Sequence, residues 1–567
     1  MVFLPKTLAA LAYSLCLLIT LTAATASTSG QGHFDFIIIG GGTTGLAVAN
    51  RLSEIPNISV AVIEAGKDEG KNPNVTSVEG FGGRTGLNTA IDWLYATTEQ
   101  TYAGGRVLEY HAGKAWGGTS TINGMTYIRA EYAQIDAWER VGNEGWNWDN
   151  LWPYHLKSEQ FEVPTEAQLA AGASYIDSYH GRKGPVNVAY QYGLHNGSFA
   201  SLVNQMWQQF GVPLNEDVNG GSLRGFFVWP QTLNREANVR EHAARAYYYP
   251  VRDRSNLILL QGHVDRIKWA ESNGANALAE GVEYTAPDGS VKTLYANEEI
   301  IVSAGSVRST AILELSGVGN PDNSTFTGMV PYVTYMTASD ILGAETETFA
   351  AEIAAKLKPW ASHVAEASNN ALSTSAIEHL YQVQHDLIFA QDVPCVEILT
   401  IALGGNVGSA FFTLLPFSRG RVHISSADPA AYPAINPNYL MAEWDLTLQR
   451  KIAQTVAKFW ETAPVSSVAG ERVQPPSTEL PANATDEWDA WIASSFSANH
   501  HLLGTAAMLP EEPGGVVDNT FIVYGTENVR VIDASVLPAQ VSGQLTSTLY
   551  AVAERAADLI KDKLGKQ

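Results

Sequence analysis

The chain has 567 residues, 45% of them hydrophobic, and a formal net charge of −23 at pH 7. Such a length carries a large core and more than one domain. So acidic a balance lacks the basic surface that nucleic-acid binding needs, and two cysteines cannot make a disulfide framework or a cysteine-rich metal site.

The first predicted element is a secretory signal over residues 1–26. Lys6 is its positive charge, Leu8 to Leu21 its apolar run, and Ala24-Thr25-Ala26 its small-residue cleavage site. The apolar run falls short of the roughly 18 residues a spanning helix needs, so no membrane span is expected. Cys16 lies in the signal, which leaves Cys395 alone in the mature chain. N-glycosylation sequons begin at Asn57, Asn74, Asn196, Asn323 and Asn483, as fits a secreted glycoprotein.

A strand, a glycine turn, a helix and a second strand follow within Phe34 to Gly66. The apolar run Phe36–Ile39 leads into Gly40-Gly41-Gly42-Thr43-Thr44-Gly45, and the run Val60–Ile63 ends on Glu64-Ala65. Gly40 permits the tight turn, Gly42 lets backbone approach a pyrophosphate at the helix N-terminus, and Gly45 lets helix and strand pack closely. Glu64 stands where a carboxylate holds the ribose hydroxyls of an adenosine. The pattern predicts a dinucleotide site. It leaves FAD and NAD open, and Glu64 disfavours the extra phosphate of NADP.

Gly113-Lys-Ala-Trp116-Gly-Gly-Thr119-Ser-Thr-Ile-Asn123-Gly124-Met125 is a second glycine-rich loop, suited to present backbone N–H groups to an anion or a flat ring. Residues 141–160 are aromatic-rich and predict a helix after Pro153. Residues 256–305 alternate like strands, with a hairpin turn at Asp288-Gly289 and a buried strand over 299–305. Residues 340–390 predict helices, 474–486 a loop, and Thr546–Leu564 an amphipathic helix. Before the last helix, His500-His501 precede a glycine turn at Gly504. Val529-Arg-Val-Ile-Asp533-Ala534-Ser535 then reads as another nucleotide-facing strand end.

Seven ordered segments now give a specific resemblance: FIIIGGGTTGLAVANRL (36–52), IDWLYATTEQ (91–100), GKAWGGTSTINGMTYIR (113–129), GSVRSTAILELSGVG (305–319), LLPFSRGRVHISSADP (414–429), HHLLGTAAM (500–508) and VRVIDASVLP (529–538). The chain resembles the glucose–methanol–choline (GMC) flavin oxidoreductases over nearly its whole length after the signal, with fungal secreted sugar and aryl-alcohol oxidases and secondary-metabolite enzymes as its look-alikes. The resemblance implies an α/β fold: a Rossmann-like FAD-binding domain with a parallel sheet (33–158, 229–319 and 497–567), and a substrate domain with an antiparallel sheet and helices (159–228 and 320–496).

It also implies FAD as the dinucleotide. Gly40, Gly42, Thr43, Thr44, Gly45, Glu64 and Ala65 would form the nucleotide cradle, and Trp116, Thr119, Asn123, Gly124, Met125 and Thr126 would lie near the flavin ring. Val264 would touch the adenine side, Asp533 and Ala534 the pyrophosphate side, with Leu545 completing the site. Family members that bond the flavin covalently through this loop carry a histidine just before the asparagine. Ile122 occupies that place here, so a non-covalent FAD is expected.

By the same resemblance His501 is the catalytic base. A neutral imidazole, with a pKa near 6.5, accepts a hydroxyl proton in the working pH range, and the flavin then takes a hydride from the alcohol carbon. On the residues alone His500 competes for the role; the register to Gly504-Thr505 favours His501. The expected partners are a small alcohol (aromatic, secondary-metabolite or sugar) and an electron acceptor, oxygen or a quinone. The chain is expected as a monomer or homodimer and without a metal.

Three features depart from the family pattern. Gln544 stands where a second histidine or an asparagine is usual, and an amide orients an alcohol but takes no proton. After Pro321 the chain skips a stretch that helps finish the FAD domain. Thr310 replaces a usual proline or serine. A flavin-containing lyase or cyclase without net redox, and a non-catalytic member of the family, therefore stay open as alternatives.

Overall fold

The computed structural model describes residues 32–565 except 79–84, 195–197, 272–275, 319–331, 369–371, 404–405, 470–471, 476–479, 481–483, 498 and 513. The expected signal, the sequons at Asn196, Asn323 and Asn483, and the skipped stretch after Pro321 lie outside the described residues.

Eleven strands build the two larger sheets: β1 (His33–Ile39), β2 (Val60–Glu64), β3 (Gly225–Val228), β4 (Leu257–Gln261), β5 (His263–Trp269), β6 (Ala279–Thr285), β7 (Val291–Val302), β8 (Tyr332–Met336), β9 (Val396–Leu403), β10 (Asn406–Thr413) and β11 (Val529–Val531). The first sheet runs β4-β2-β1-β7-β6-β5, with β11 also paired to β7. Its centre is parallel: β4 with β2, β2 with β1, β1 with β7, and β7 with β11. Central parallel strands are covered on both faces and need continuous apolar runs, and β2 is buried along its whole length. The expected parallel nucleotide-type sheet is therefore present.

Strand β7 serves two arrangements at once. Its first residues, Val291–Tyr295, pair antiparallel with β6, and its last, Ile300–Val302, pair parallel with β11. The β6–β7 hairpin turns at Gly289, where φ is +81°, a left-handed conformation that glycine adopts without strain.

Five helices matter for the site: α1 (Thr43–Leu52), α2 (Trp148–Ser158), α3 (Gly305–Leu315), α4 (Glu443–Glu461) and α5 (Leu545–Gly565). Helix α2 starts at Trp148, five residues earlier than the proline suggests, because the Asn147 side chain accepts the Asn150 N–H at 2.9 Å and caps the first turn. Pro153 lies inside the helix. Helix α5 packs on α1 and α2. The fully buried Glu554 fastens it there, accepting from Arg51 Nη2 at 2.8 Å and from Tyr247 Oη at 3.0 Å. The 340–390 stretch forms the expected helices, among them Thr346–Ala354, Leu357–Ala367 and Thr374–His385.

The second sheet is antiparallel, in the order β10-β9-β8-β3. Phe227, Val333, Tyr335 and Leu399 from this sheet share an apolar cluster with Ile128, Val218 and Leu223. Ile128 belongs to the segment that continues the second glycine loop. The antiparallel sheet therefore packs directly against the backbone that leads out of the nucleotide site.

Candidate active site

One large cleft opens where the parallel strands end, as in open α/β sheets generally. It has about 1300 Å³ of empty space including its mouth, more than the roughly 300–1,000 Å³ of ordinary small-molecule sites. Its walls hold residues from distant parts of the chain: Gly40, Gly42, Thr43, Thr44, Glu64, Ala65, Thr119, Asn123, Val264, Asp533, Ala534, Leu545 and His501. Every one of these was a site candidate on sequence grounds.

The cradle is made of close backbone. Gly40 has φ +104°, and a Cβ there would lie 2.3 Å from the Ser303 carbonyl oxygen. A Cβ on Gly45 would lie 2.1 Å from the Gly40 carbonyl oxygen, so Gly45 serves the packing of helix on turn and lies outside the cleft lining. Gly42 caps α1, and the N–H groups of the first turn face outward without intrahelical partners. With the positive end of the helix dipole they form an anion site. Opposite, Gly118 at φ +53° brings its Cα against Gly42.

Glu64 closes the β2 end. Its two carboxyl oxygens accept from Gly41 N at 2.8 Å and from Gly66 N at 2.7 Å. Burial pushes its carboxyl above the usual carboxylate range, against the lowering effect of those two bonds. Asp533 is tied to the start of α3, accepting from Gly305 N at 2.9 Å and from Ser309 Oγ at 2.6 Å. Helix N-terminal donors, an adenosine-type carboxylate and a glycine cradle with no room for side chains together fit a bound dinucleotide such as FAD.

The second glycine loop contributes Thr119 and Asn123 to the cleft, while its neighbours hold the loop in shape. Asn123 Nδ2 donates to Thr546 Oγ1 at 3.2 Å, and its Oδ1 accepts from Met125 N at 3.0 Å. Met125 is fully buried with φ +62°. Its carbonyl accepts from Thr232 N at 2.7 Å. Gly124 O accepts from Gln231 Nε2 at 3.4 Å, and Thr126 bridges the same Gln231 strand. Trp116 packs edge-on against Tyr248. These four residues lie behind the lining. Ile122 is buried with Val75, Ile91 and Ala115, so the position that carries a histidine in covalent flavoproteins is an apolar packing site here.

Sequence reasoning missed the group that clamps this loop. Arg240 is buried, and its Nη1 donates to Asn123 O and Asn123 Oδ1, both at 2.7 Å, and to Ser120 O at 3.3 Å, while Nε donates to Val75 O at 3.0 Å. Burial pushes its guanidinium down to about 9. Arg308, on α3, is the Arg or Lys side chain among the lining residues. It was legible only as the fourth residue of the 305–319 segment. Trp93 and Tyr95 stack on one another in the same wall, with centroids 5.8 Å apart.

His501 projects from a tightly held loop. Tyr110 Oη donates to His500 O at 2.5 Å and accepts from Leu502 N at 2.9 Å, bracketing His501 on both sides. Ser306 Oγ donates to Leu502 O at 2.7 Å, and Thr505 Oγ1 donates to Ser306 O at 2.8 Å. His500 lines the cleft as well, but its ring lies edge-on to His111 and its Nδ1 accepts the His111 backbone N–H at 3.3 Å. Gln544 is not in the cleft lining. Its backbone N–H donates to Ile128 O at 3.0 Å, and its Nε2 donates to Glu397 Oε1 at 3.1 Å, across to the antiparallel sheet.

Comparison with known proteins agrees with this geometry. The N-terminal GMC oxidoreductase model matches residues 34–346 and the C-terminal one residues 416–553. The glucose oxidase-like protein fsoC of Humicola fuscoatra is 47% identical over 95% of this chain and 97% of its own length. A glucose oxidase of Aspergillus carbonarius is 32% identical over 93% and 92%. Among solved structures, an FAD-dependent oxidoreductase from Chaetomium thermophilum superposes with a TM-score of 0.83 at 25% identity, covering 94% of this chain and 99% of that one. A fungal aryl-alcohol oxidase has the same fold, with a TM-score of 0.80 at 24% identity over 94% and 99% of the two chains. The chain belongs to the GMC oxidoreductase family and is an FAD-dependent oxidoreductase acting on CH–OH groups.

Proposed function

We propose that the protein oxidises a small alcohol, with His501 as the base that takes the hydroxyl proton. The observation that carries this reading is the shared cleft: His501, on a loop braced at both neighbours, faces the same space as the glycine cradle and Asn123. A bound FAD supplies the hydride acceptor. The chain's own residues do the rest. The α1 N-terminus, Glu64 and the Asp533 segment hold the nucleotide half; Asn123, held by Arg240 and Thr546, shapes the ring half; His501 holds the proton. FAD binds without a covalent bond, as the buried Ile122 supports.

The favoured substrate class is a small aromatic or secondary-metabolite alcohol, with a sugar as the other choice; the stacked Trp93 and Tyr95 support an aromatic surface in the cleft. The electron acceptor is oxygen or a quinone. The division into an FAD-binding region (33–158, 229–319, 497–567) and a substrate region (159–228, 320–496) belongs to the same proposal. So does secretion of the protein, which the signal-like N-terminus and the exposed sequon at Asn57 support. A panel of alcohols, with flavin absorbance and peroxide followed together, tests the reading. Bleaching by at least one alcohol is the expected result, and a purified protein without flavin would sink it.

A second reading, a lyase or cyclase without net redox, is favoured by one observation: Gln544 turns its amide to Glu397 and contributes nothing to the cleft lining. Anaerobic substrate addition separates the two. Turnover with the flavin left oxidised would establish the lyase.

A further inference from the structure

A cluster of charged side chains away from the cleft closes on itself. Arg129 ends the segment that leaves the second glycine loop, and its Nη2 donates to Glu159 Oε2 at 2.8 Å. Glu159 Oε1 lies 3.0 Å from His180 Nδ1, and His180 Nε2 lies 2.8 Å from Asp217 Oδ2. Asp217 Oδ1 accepts from Asn219 N at 2.9 Å. Asn219 returns to Arg129, its Oδ1 accepting from Arg129 N at 3.0 Å and its carbonyl from Arg129 Nη1 at 2.9 Å. All five residues of this circuit are buried, and none lines the cleft.

The circuit fixes where its protons sit. Each carboxylate also takes a backbone donor, Gly181 N at 2.7 Å for Glu159 and Ile176 N at 2.9 Å for Asp217, so both act as acceptors. A carboxylate only accepts, and an imidazole that faces one with each ring nitrogen can donate to both only when it carries two protons. Charge leads to the same state. Two carboxylates buried with one guanidinium leave an uncompensated negative charge, which the interior penalises heavily, unless the imidazole is positive.

We propose that His180 carries both ring protons and that this imidazolium is a latch, holding the Arg129 segment to the 159–220 stretch until alkaline pH removes one of them. Release reaches the cleft through the neighbouring residue. Ile128 O accepts from Gln544 N at 3.0 Å and from Ser547 Oγ at 2.7 Å, on either side of Leu545 and Thr546, which line the cleft. Asn123, a few residues before Arg129, lines it too. An Arg129 segment set loose therefore loosens the walls that shape the flavin-ring half of the site.

Burial alone would push the imidazole down, but its bonds to Asp217 and Glu159 outweigh burial and hold it above its ordinary value. The stabilisation is therefore complete below about pH 6.5, the unfolded value, and is lost as pH rises beyond it. Around the imidazole, Phe161 stacks at 3.7 Å and the Tyr175 ring lies 6.5 Å away. Tyr190, near Asp217, and Tyr127, near Glu159, are kept neutral by burial. Arg182, over the Phe161 ring, is paired with Asp177.

Three measurements on the holoprotein test this. With 15N-labelled histidine, His180 should show protons on both ring nitrogens at about pH 7, where a free imidazole has mostly lost one. The signals are identified by their loss in His180→Gln or their shift in Asp217→Asn, and a single ring proton overturns the proposal. Hydrogen exchange at the amides that donate into the circuit (Arg129, Ile176, Gly181 and Asn219), corrected for the intrinsic rate, should lose protection by about 10- to 100-fold as pH rises from 6 to 9, the worth of a charge-assisted hydrogen bond. His180→Gln should be weakly protected throughout with no such step, and Asp217→Asn, with one carboxylate fewer, should move the step to lower pH. Protection that stays level while the second proton leaves, or a step that survives in His180→Gln, overturns the latch. Fluorescence of released FAD should rise over the same range, and FAD that stays bound through a completed step overturns the route to the cleft.

Discussion

The parallel sheet lines the cleft, the antiparallel sheet packs against the segment leading out of it, and the two are built differently. The parallel sheet contributes backbone: a left-handed Gly40, a helix N-terminus and strand ends, with side chains kept out by distances near 2 Å. The antiparallel sheet contributes a side-chain contact, Glu397 to Gln544, between residues 147 apart in the chain. A backbone site tolerates almost no change of shape, whereas a side-chain pair tolerates shape and is sensitive to protonation.

That difference can be broken from the backbone side first. Gly45→Val places side-chain atoms where the Gly40 carbonyl lies; the expected result is a protein that purifies without flavin absorbance. The next effect is at the proposed base. His501→Ala should slow anaerobic flavin reduction by about 10²- to 10⁴-fold, with FAD still bound; wild-type-like reduction would remove His501 from the role. Arg240→Gln loses charge-assisted bonds to the Asn123 loop, each worth about 1.5–3 kcal/mol. FAD affinity, measured by fluorescence on release, should fall at least tenfold while far-ultraviolet dichroism is unchanged, and Arg240→Lys should recover part of it.

A smaller effect concerns pH and the protein without cofactor. Glu131 and Glu241 are raised by burial to about 7, and Glu397 to about 8. Their folded pKa values exceed the unfolded ones, so the folded state holds extra protons between pH 4.5 and 8 and loses stability as pH rises there. His242, lowered by burial to about 3, acts oppositely, adding stability as pH rises to 6.5. Above pH 6.5 the carboxyls remain, joined by His180, which Asp217 and Glu159 hold above its ordinary range despite its burial, and denaturation midpoints should decline toward pH 8. A rise over that window would show these groups to be solvated. The smallest effect expected is at Gln544→His, which should change the rate of flavin reduction by less than about tenfold.

The backbone half was legible because its requirements are written in glycine spacing and apolar runs. Gly40, Gly42 and Gly45, the all-buried β2 and the acid at its end are local features within about thirty residues. Arg240 was not legible. Nothing local distinguishes a clamping arginine from a surface one, and its partners lie at residues 75, 120 and 123. Glu397 was hidden for the same reason: one acid in a mostly apolar strand shows its partner, Gln544, only when β9 is laid against the segment before α5. Pro153 misled the reading of α2, since the Asn147 cap sets the start of the helix and the proline is absorbed inside it.

The pairing of β7 with both β1 and β11 bears on how the protein comes into being. The glycine turn leaves the ribosome early, yet its cleft lacks a floor until Val529–Val531 adds to the sheet and Asp533 ties down Gly305. Contacts of such sequence separation form late and slowly. Cofactor capture is therefore expected only with an essentially complete chain, and a truncation just before Val529 should leave a recognisable nucleotide motif that holds no flavin.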